Sequence, residues 1–144
     1  MSDASEQLLL VRQLERRSAR RGALVAAILL AVLIIAIGAV TDLEMLWLFA
    51  FVAIGYVAVS MARPLKLRLD WSDRLGVTFL VLAVLAVAAT YIGVQFVARS
   101  LEFSAPNTGS GLVAALMVFV AVLPALVRLS SRRVDAGRPA PAHD

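Results

Sequence analysis

The chain has 144 residues, of which 61% are hydrophobic and 17% charged, with a formal net charge of +4 and an isoelectric point near 10.6. A soluble domain carries roughly 45–50% apolar residues, and a chain this short has no single core able to hide the excess, so the composition predicts a lipid environment. There is no cysteine, which excludes disulfides, iron–sulfur clusters, thiolate zinc sites and cysteine nucleophiles, and the basic residues flank apolar runs in a pattern that fits membrane orientation and not a nucleic-acid footprint.

Residues 1–22 are polar, then amphipathic, then basic. Leu8, Leu9, Leu10, Val11 and Leu14 are joined by Arg12, Arg16, Arg17, Arg20 and Arg21 at helical spacings. This predicts a short amphipathic helix that lies on the membrane surface or runs straight into the first span, its arginines held by anionic lipid headgroups. Residues 23–40 then form an uncharged apolar run. At about 1.5 Å per residue it covers about 27 Å, longer than the apolar region of a signal peptide, so a retained span is expected.

Thr41 and Glu44 have the spacing of a capping box, which predicts a tight turn into a second span over 45–62. Asp42 and Glu44 in that turn read as helix caps, not metal ligands. Trp47 suits the interfacial aromatic belt, and Ala58 and Ala62 have the spacing that lets two helices approach closely.

The stretch 63–74, RPLKLRLDWSDR, is the only long interior segment that mixes charge with apolar residues. Leu65, Leu67, Leu69 and Trp71 alternate with Lys66, Arg68 and Asp70, a period of two, and Pro64 interrupts any helix entering it. The expectation is an extended connector along the interface, with Leu65, Leu67, Leu69 and Trp71 as the candidate partner contact. Asp70, Ser72 or Asp73 is then placed to cap the next helix.

The third span is expected over 75–98, with Thr78, Thr90, Tyr91 and Gln95 as its polar groups. An amide facing lipid is costly, so Gln95 should face a neighbouring helix or the outer interface, and Thr90, Tyr91 and Gln95 form the candidate set of intramembrane polar contacts. Ala89 and Gly93 are a second closely spaced small pair. Arg99 and Glu102 have ion-pair spacing, and Pro106, Asn107, Gly109 and Gly111 read as a flexible turn. A fourth span over 111–127 should bend at Pro124, and the tail 130–144 should be disordered.

The fourteen Lys and Arg residues divide into five before the first span, four in the connector, four after the fourth span, and Arg99 alone on the other side. By the positive-inside rule this predicts a multi-pass protein of the cell inner (plasma) membrane with both termini and the connector cytoplasmic. None of the four apolar runs contains an ionisable Asp, Glu, Lys, Arg or His, and the one histidine is His143 in the tail. No catalytic, cofactor or metal site is therefore expected, and the chain is not read as an enzyme.

These patterns predict an all-α membrane protein, with four transmembrane helices in two antiparallel hairpins over 23–129. The functional expectation is a non-enzymatic accessory, assembly or regulatory subunit that packs against a membrane-protein partner or a second copy of itself. The alternative is a small oligomeric permease or channel whose path uses Thr78, Thr90, Tyr91 and Gln95.

Overall fold

The computed structural model describes residues 2–45, 47–62 and 69–136. Among them the chain is helical throughout, with no strand. Four helical stretches follow one another: α1 (Ser2–Asp42), α2 (Leu48–Ala62), α3 (Arg74–Ser100), and a last long helix made of α4 (Pro106–Met117), a π segment (Val118–Val122) and α5 (Leu123–Ala136). Three of these, the first, third and last, are long and apolar enough to cross a membrane. α2 has 15 residues, about 23 Å at about 1.5 Å per residue, which is less than a hydrocarbon core of about 30 Å.

α1 takes the second of the two expected forms, an amphipathic segment that runs straight into the first apolar run. It is one uninterrupted helix of 41 residues, roughly 60 Å long, because nothing between Arg12 and Ala23 breaks the ladder and Gly22 alone is a weak interruption. Its first half projects beyond the packed helices, with Leu8, Leu9, Leu10, Val11 and Leu14 all exposed. The helix also runs past Val40 to Asp42, so the predicted capping box does not form. Thr41 donates its hydroxyl to the Ile37 carbonyl, and Glu44 ends the helix in the left-handed region at φ 53°. α3 ends in the same way at Glu102, φ 52°, and this reversal draws the Glu102 amide back onto the Arg99 carbonyl in place of the ion pair.

The last helix is the centre of the packing. α1 packs on α4 and α5, α3 packs on the same helix from another side, and α1 and α3 do not touch. α2 touches α1 alone. α1 with α2 and α3 with α4 are thus neighbours while α2 and α3 are not, and the closest approach joins α1 to α4. A Cβ at Gly38 would collide with the Asn107 carbonyl, and one at Gly111 would lie 3.2 Å from the Ile34 carbonyl oxygen. The buried core between the helices is correspondingly small in side chain: Ala27, Ala83, Val87, Ala114, Val118 and Val122.

The close-packing glycines are not the ones that pair spacing singled out. Gly93 has nothing within 4 Å of its would-be Cβ, and Ala58 and Ala89 are exposed. The small residues that are buried or close-packed are instead Ala23, Ala27, Ala31 and Gly38 on α1 and Gly111, Ala114 and Ala115 on α4, with Gly38 against Asn107 and Gly111 against Ile34 and Ile35.

The last helix also corrects two expectations. The segment read as a flexible turn is its first turn, since Pro106 occupies the first helical position, where a missing N–H costs nothing. At the other end the helix continues to Ala136, so the first seven residues of the predicted tail are helical, while 137–144 and His143 lie outside the described residues. Pro124 does act on the helix. It lacks an amide hydrogen and its ring crowds the Val120 carbonyl, and the ladder answers by widening to a π turn over Val118–Val122.

Gly38→Ala should destabilise the fold by about 1–3 kcal/mol, because the added methyl meets a backbone carbonyl that cannot rotate away. Gly93→Ala, in open space, should be neutral or slightly stabilising. Thermal unfolding in detergent micelles followed by circular dichroism distinguishes the two, and equal effects would contradict the packing described.

Candidate functional site

Chemistry-bearing side chains gather at the two ends of the three packed helices. At the end where α1 stops, the Asp42 carboxylate closes the start of α4. Its Oδ1 accepts from the Asn107 amide at 3.1 Å and from Asn107 Nδ2 at 2.8 Å. Its Oδ2 accepts from the Thr108 amide and the Thr108 hydroxyl, each at 2.6 Å. These amides have no partner inside their own helix, Ala105 at the cap position has no side chain that reaches them, and a negative charge there also meets the positive end of the helix dipole.

Asn107, 7% exposed, carries the arrangement to the third helix, since its Oδ1 accepts from Gln95 Nε2. One buried asparagine therefore ties α1, α3 and α4 together. Asp42 lies two residues beyond the apolar run 23–40. Burial pushes its carboxyl up, but the four hydrogen bonds outweigh burial and hold it below the usual carboxylate range. The cap is therefore fully charged above the ordinary value of 3.8, and its contribution is lost only as pH falls through the lowered value.

The candidate polar contacts of the third span separate on this evidence. Gln95 meets a neighbouring helix as expected. Tyr91, one turn away, is half-buried and lines an open apolar trough, and Thr90 is half-buried beside it. Thr78 lies near the opposite end and donates its hydroxyl to the Arg74 carbonyl in its own helix. The four do not line a common polar surface. The sequence marked Gln95 as an amide in need of a partner and Asp42 as a helix cap, but neither Asn107 nor which helix Asp42 caps. Asp42 stood in an apparent loop and Asn107 in an apparent turn, and their partnership across 65 positions leaves no local signal.

The trough exists because α1 and α3 both lie against the last helix without meeting. It encloses about 440 Å³, with walls from Leu30, Ile34 and Ile37 on one side and Val84, Ala88, Tyr91 and Ile92 on the other, and a floor of Ala114 and Val122. Tyr91 is its only polar side chain, so it suits an apolar occupant.

No protein-family model, curated protein or solved structure matches this chain.

At the opposite end the segment before α3 docks on α5. The Asp70 amide donates to the Leu129 carbonyl at 3.1 Å, and the Asp70 carboxylate accepts from the Ser72 amide and hydroxyl, which forms a turn at Trp71 and Ser72. Asp73 takes the cap position of α3 but makes no side-chain cap bond. Its buried carboxylate faces Arg128 instead, 3.5 Å from Nε. Of the candidate partner contact, Leu65 and Leu67 lie outside the described residues, Leu69 is half-buried against the bundle, and Trp71 is 65% exposed. Leu69 and Trp71 thus differ in exposure, because the chain turns immediately after Asp70.

Asp42→Ala removes the acceptor for four donors and should lower stability by about 1–2 kcal/mol, the range for loss of a helix N-cap. Glu44→Ala in the same connection should stay within about 0.5 kcal/mol. Denaturant titration of both variants in micelles checks this, and similar losses would remove the special role of Asp42.

Proposed function

We propose that the chain is a four-span protein of the plasma membrane, with both termini and the 63–74 connector in the cytoplasm, and that it acts as a non-enzymatic accessory, assembly or regulatory subunit of a larger membrane complex. The observation that carries the functional part is the apolar trough between α1 and α3. A packed bundle would have closed it, and its walls present aliphatic side chains over a floor of small residues, a surface that fits a partner's transmembrane helix.

Two features support the topology. α1 and α3 both run from the arginine-rich end towards the Asp42–Asn107 end, since Asp42 and Gln95 meet Asn107 there, while Asp70 meets Leu129 at the other. Position 44 lies near the Asn107 end and position 69 near Leu129, about 33 Å of helix apart, and this supports a return crossing between them. The charge asymmetry then orients it. Thirteen of the fourteen Lys and Arg residues precede the first apolar run, fall in 63–74 or follow the fourth run, and of these Arg21, Arg74 and Arg128 stand at the end opposite Asn107.

The absence of native cysteine allows a clean test of orientation. Single substitutions Ser72→Cys and Ser104→Cys, probed in intact cells with a membrane-impermeant maleimide, should give labelling at position 104 and none at 72 until the cells are opened. The reverse pattern would overturn the topology.

For the role, a photo-crosslinking amino acid at Ile37 and, separately, at Ile92 should capture the same membrane protein from the two walls of the trough. Ala88→Trp should abolish both captures by filling the space. Crosslinks to lipid alone would sink the accessory-subunit reading.

A further inference from the structure

A second groove opens at the arginine-rich end, between α3 and the region of Pro124, and encloses about 500 Å³. That is within the range of about 300–1,000 Å³ typical of small-molecule sites. Its origin is local. Ala83, Ala121 and Ala125 leave the wall thin, and the π turn ahead of Pro124 adds a residue to the helix where it faces α3. Phe79 and Leu82 form the other wall, and the one polar side chain in the lining is Arg128.

Arg128 is held in place from two directions. Its guanidinium lies 5.3 Å from the centre of the Phe79 ring, and its Nε faces the Asp73 carboxylate at 3.5 Å. A guanidinium carries five N–H donors, and among the described residues only its Nε faces a carboxylate. The side chain is 36% exposed and lines the groove, so it is accessible to a ligand there while the Phe79 and Asp73 contacts favour this placement. A planar fork fixed like this suits two phosphate oxygens at once.

The polarity along the groove runs in one direction. Arg128 stands at the level where Asp70 docks on Leu129 and α3 begins, whereas Phe79, Leu82 and Ala83 lie about one and a half to two and a half turns into α3. An anionic group at the rim and an alkyl chain running inward would match both parts.

We propose that this groove binds one anionic phospholipid, with its phosphate on Arg128 and an acyl chain along Phe79, Leu82, Ala121 and Ala125. The site needs a bilayer but no protein partner, so it stands or falls separately from the accessory-subunit reading. Asp73 then acts as a positioning residue, and the Phe79 ring serves both as the wall of the acyl channel and as the platform for the cation.

The test uses the full chain, delipidated in mild detergent, with phosphatidylglycerol, phosphatidylcholine of identical acyl chains, and soluble glycerol 3-phosphate as probes, read by native mass spectrometry. Phosphatidylglycerol should bind about tenfold more tightly than phosphatidylcholine, the size expected for hydrogen bonds to a charged group, and glycerol 3-phosphate should not compete. Arg128→Gln should erase the headgroup preference, and Arg128→Lys should retain part of it. Ala121→Phe should weaken both lipids by filling the channel. Equal binding of the two lipids by the unmodified chain, a preference that survives Arg128→Gln, or full competition by glycerol 3-phosphate would each overturn the proposal. Should Arg128→Gln not fold, unchanged lipid binding by Ala121→Phe would overturn it equally.

Discussion

The backbone contact between α1 and α4 at Gly38 and Gly111 is the constraint on which the other features depend. In a bilayer the hydrophobic effect offers no preference for helix–helix over helix–lipid contact, so association relies on close packing and on hydrogen bonds between helices. Gly38 and Gly111 bring the two backbones within carbonyl distance, and that approach puts Asp42 at the first turn of α4. Without it the Asn107 and Thr108 amides would lose their acceptor, at about the 1–2 kcal/mol cost of a missing helix cap. Packing and capping therefore reinforce each other: the stripe of Ala and Gly sets the register, and the carboxylate holds it.

From that register the position of α3 follows. Gln95 reaches Asn107 from the far side, so the third helix is fastened to the same asparagine, not to α1. The trough is the geometric result, because two helices tied to one central helix at a common point need not touch each other. The same asparagine that closes one end of the bundle leaves its side open.

Pro124 plays the corresponding part at the other end. The π turn before it rotates α5 relative to a regular helix, and α5 meets the segment entering α3 through the Leu129 carbonyl and the Arg128–Asp73 pair. Gly76 is also close-packed there, since a Cβ would lie 2.6 Å from Leu129 and 2.8 Å from the Asp73 carboxylate. Polar groups sit at both ends, and the surfaces between them are apolar. A chain built this way fits action through what it packs against, which is the sense of both roles proposed for its two grooves.

The amino-acid sequence by itself determined the helical class, the approximate limits of the apolar helices and the separation of basic from apolar segments, because these are properties of runs of neighbouring residues. It also marked Gln95 as an amide in need of a partner and Pro124 as a site of distortion. It misplaced the ends of α1 and α4, since Thr41 and Glu44 carry a capping pattern and Pro-Asn-Thr-Gly-Ser-Gly carries a turn pattern, and each is locally self-consistent. Only the tertiary structure decided otherwise. A carboxylate from a helix 65 positions earlier satisfies the amides at the start of α4, so a proline- and glycine-rich segment folds as a helix. Only the tertiary structure, too, distinguished the packed Gly38 and Gly111 from the open Gly93, because whether a missing Cβ matters depends on what stands opposite it.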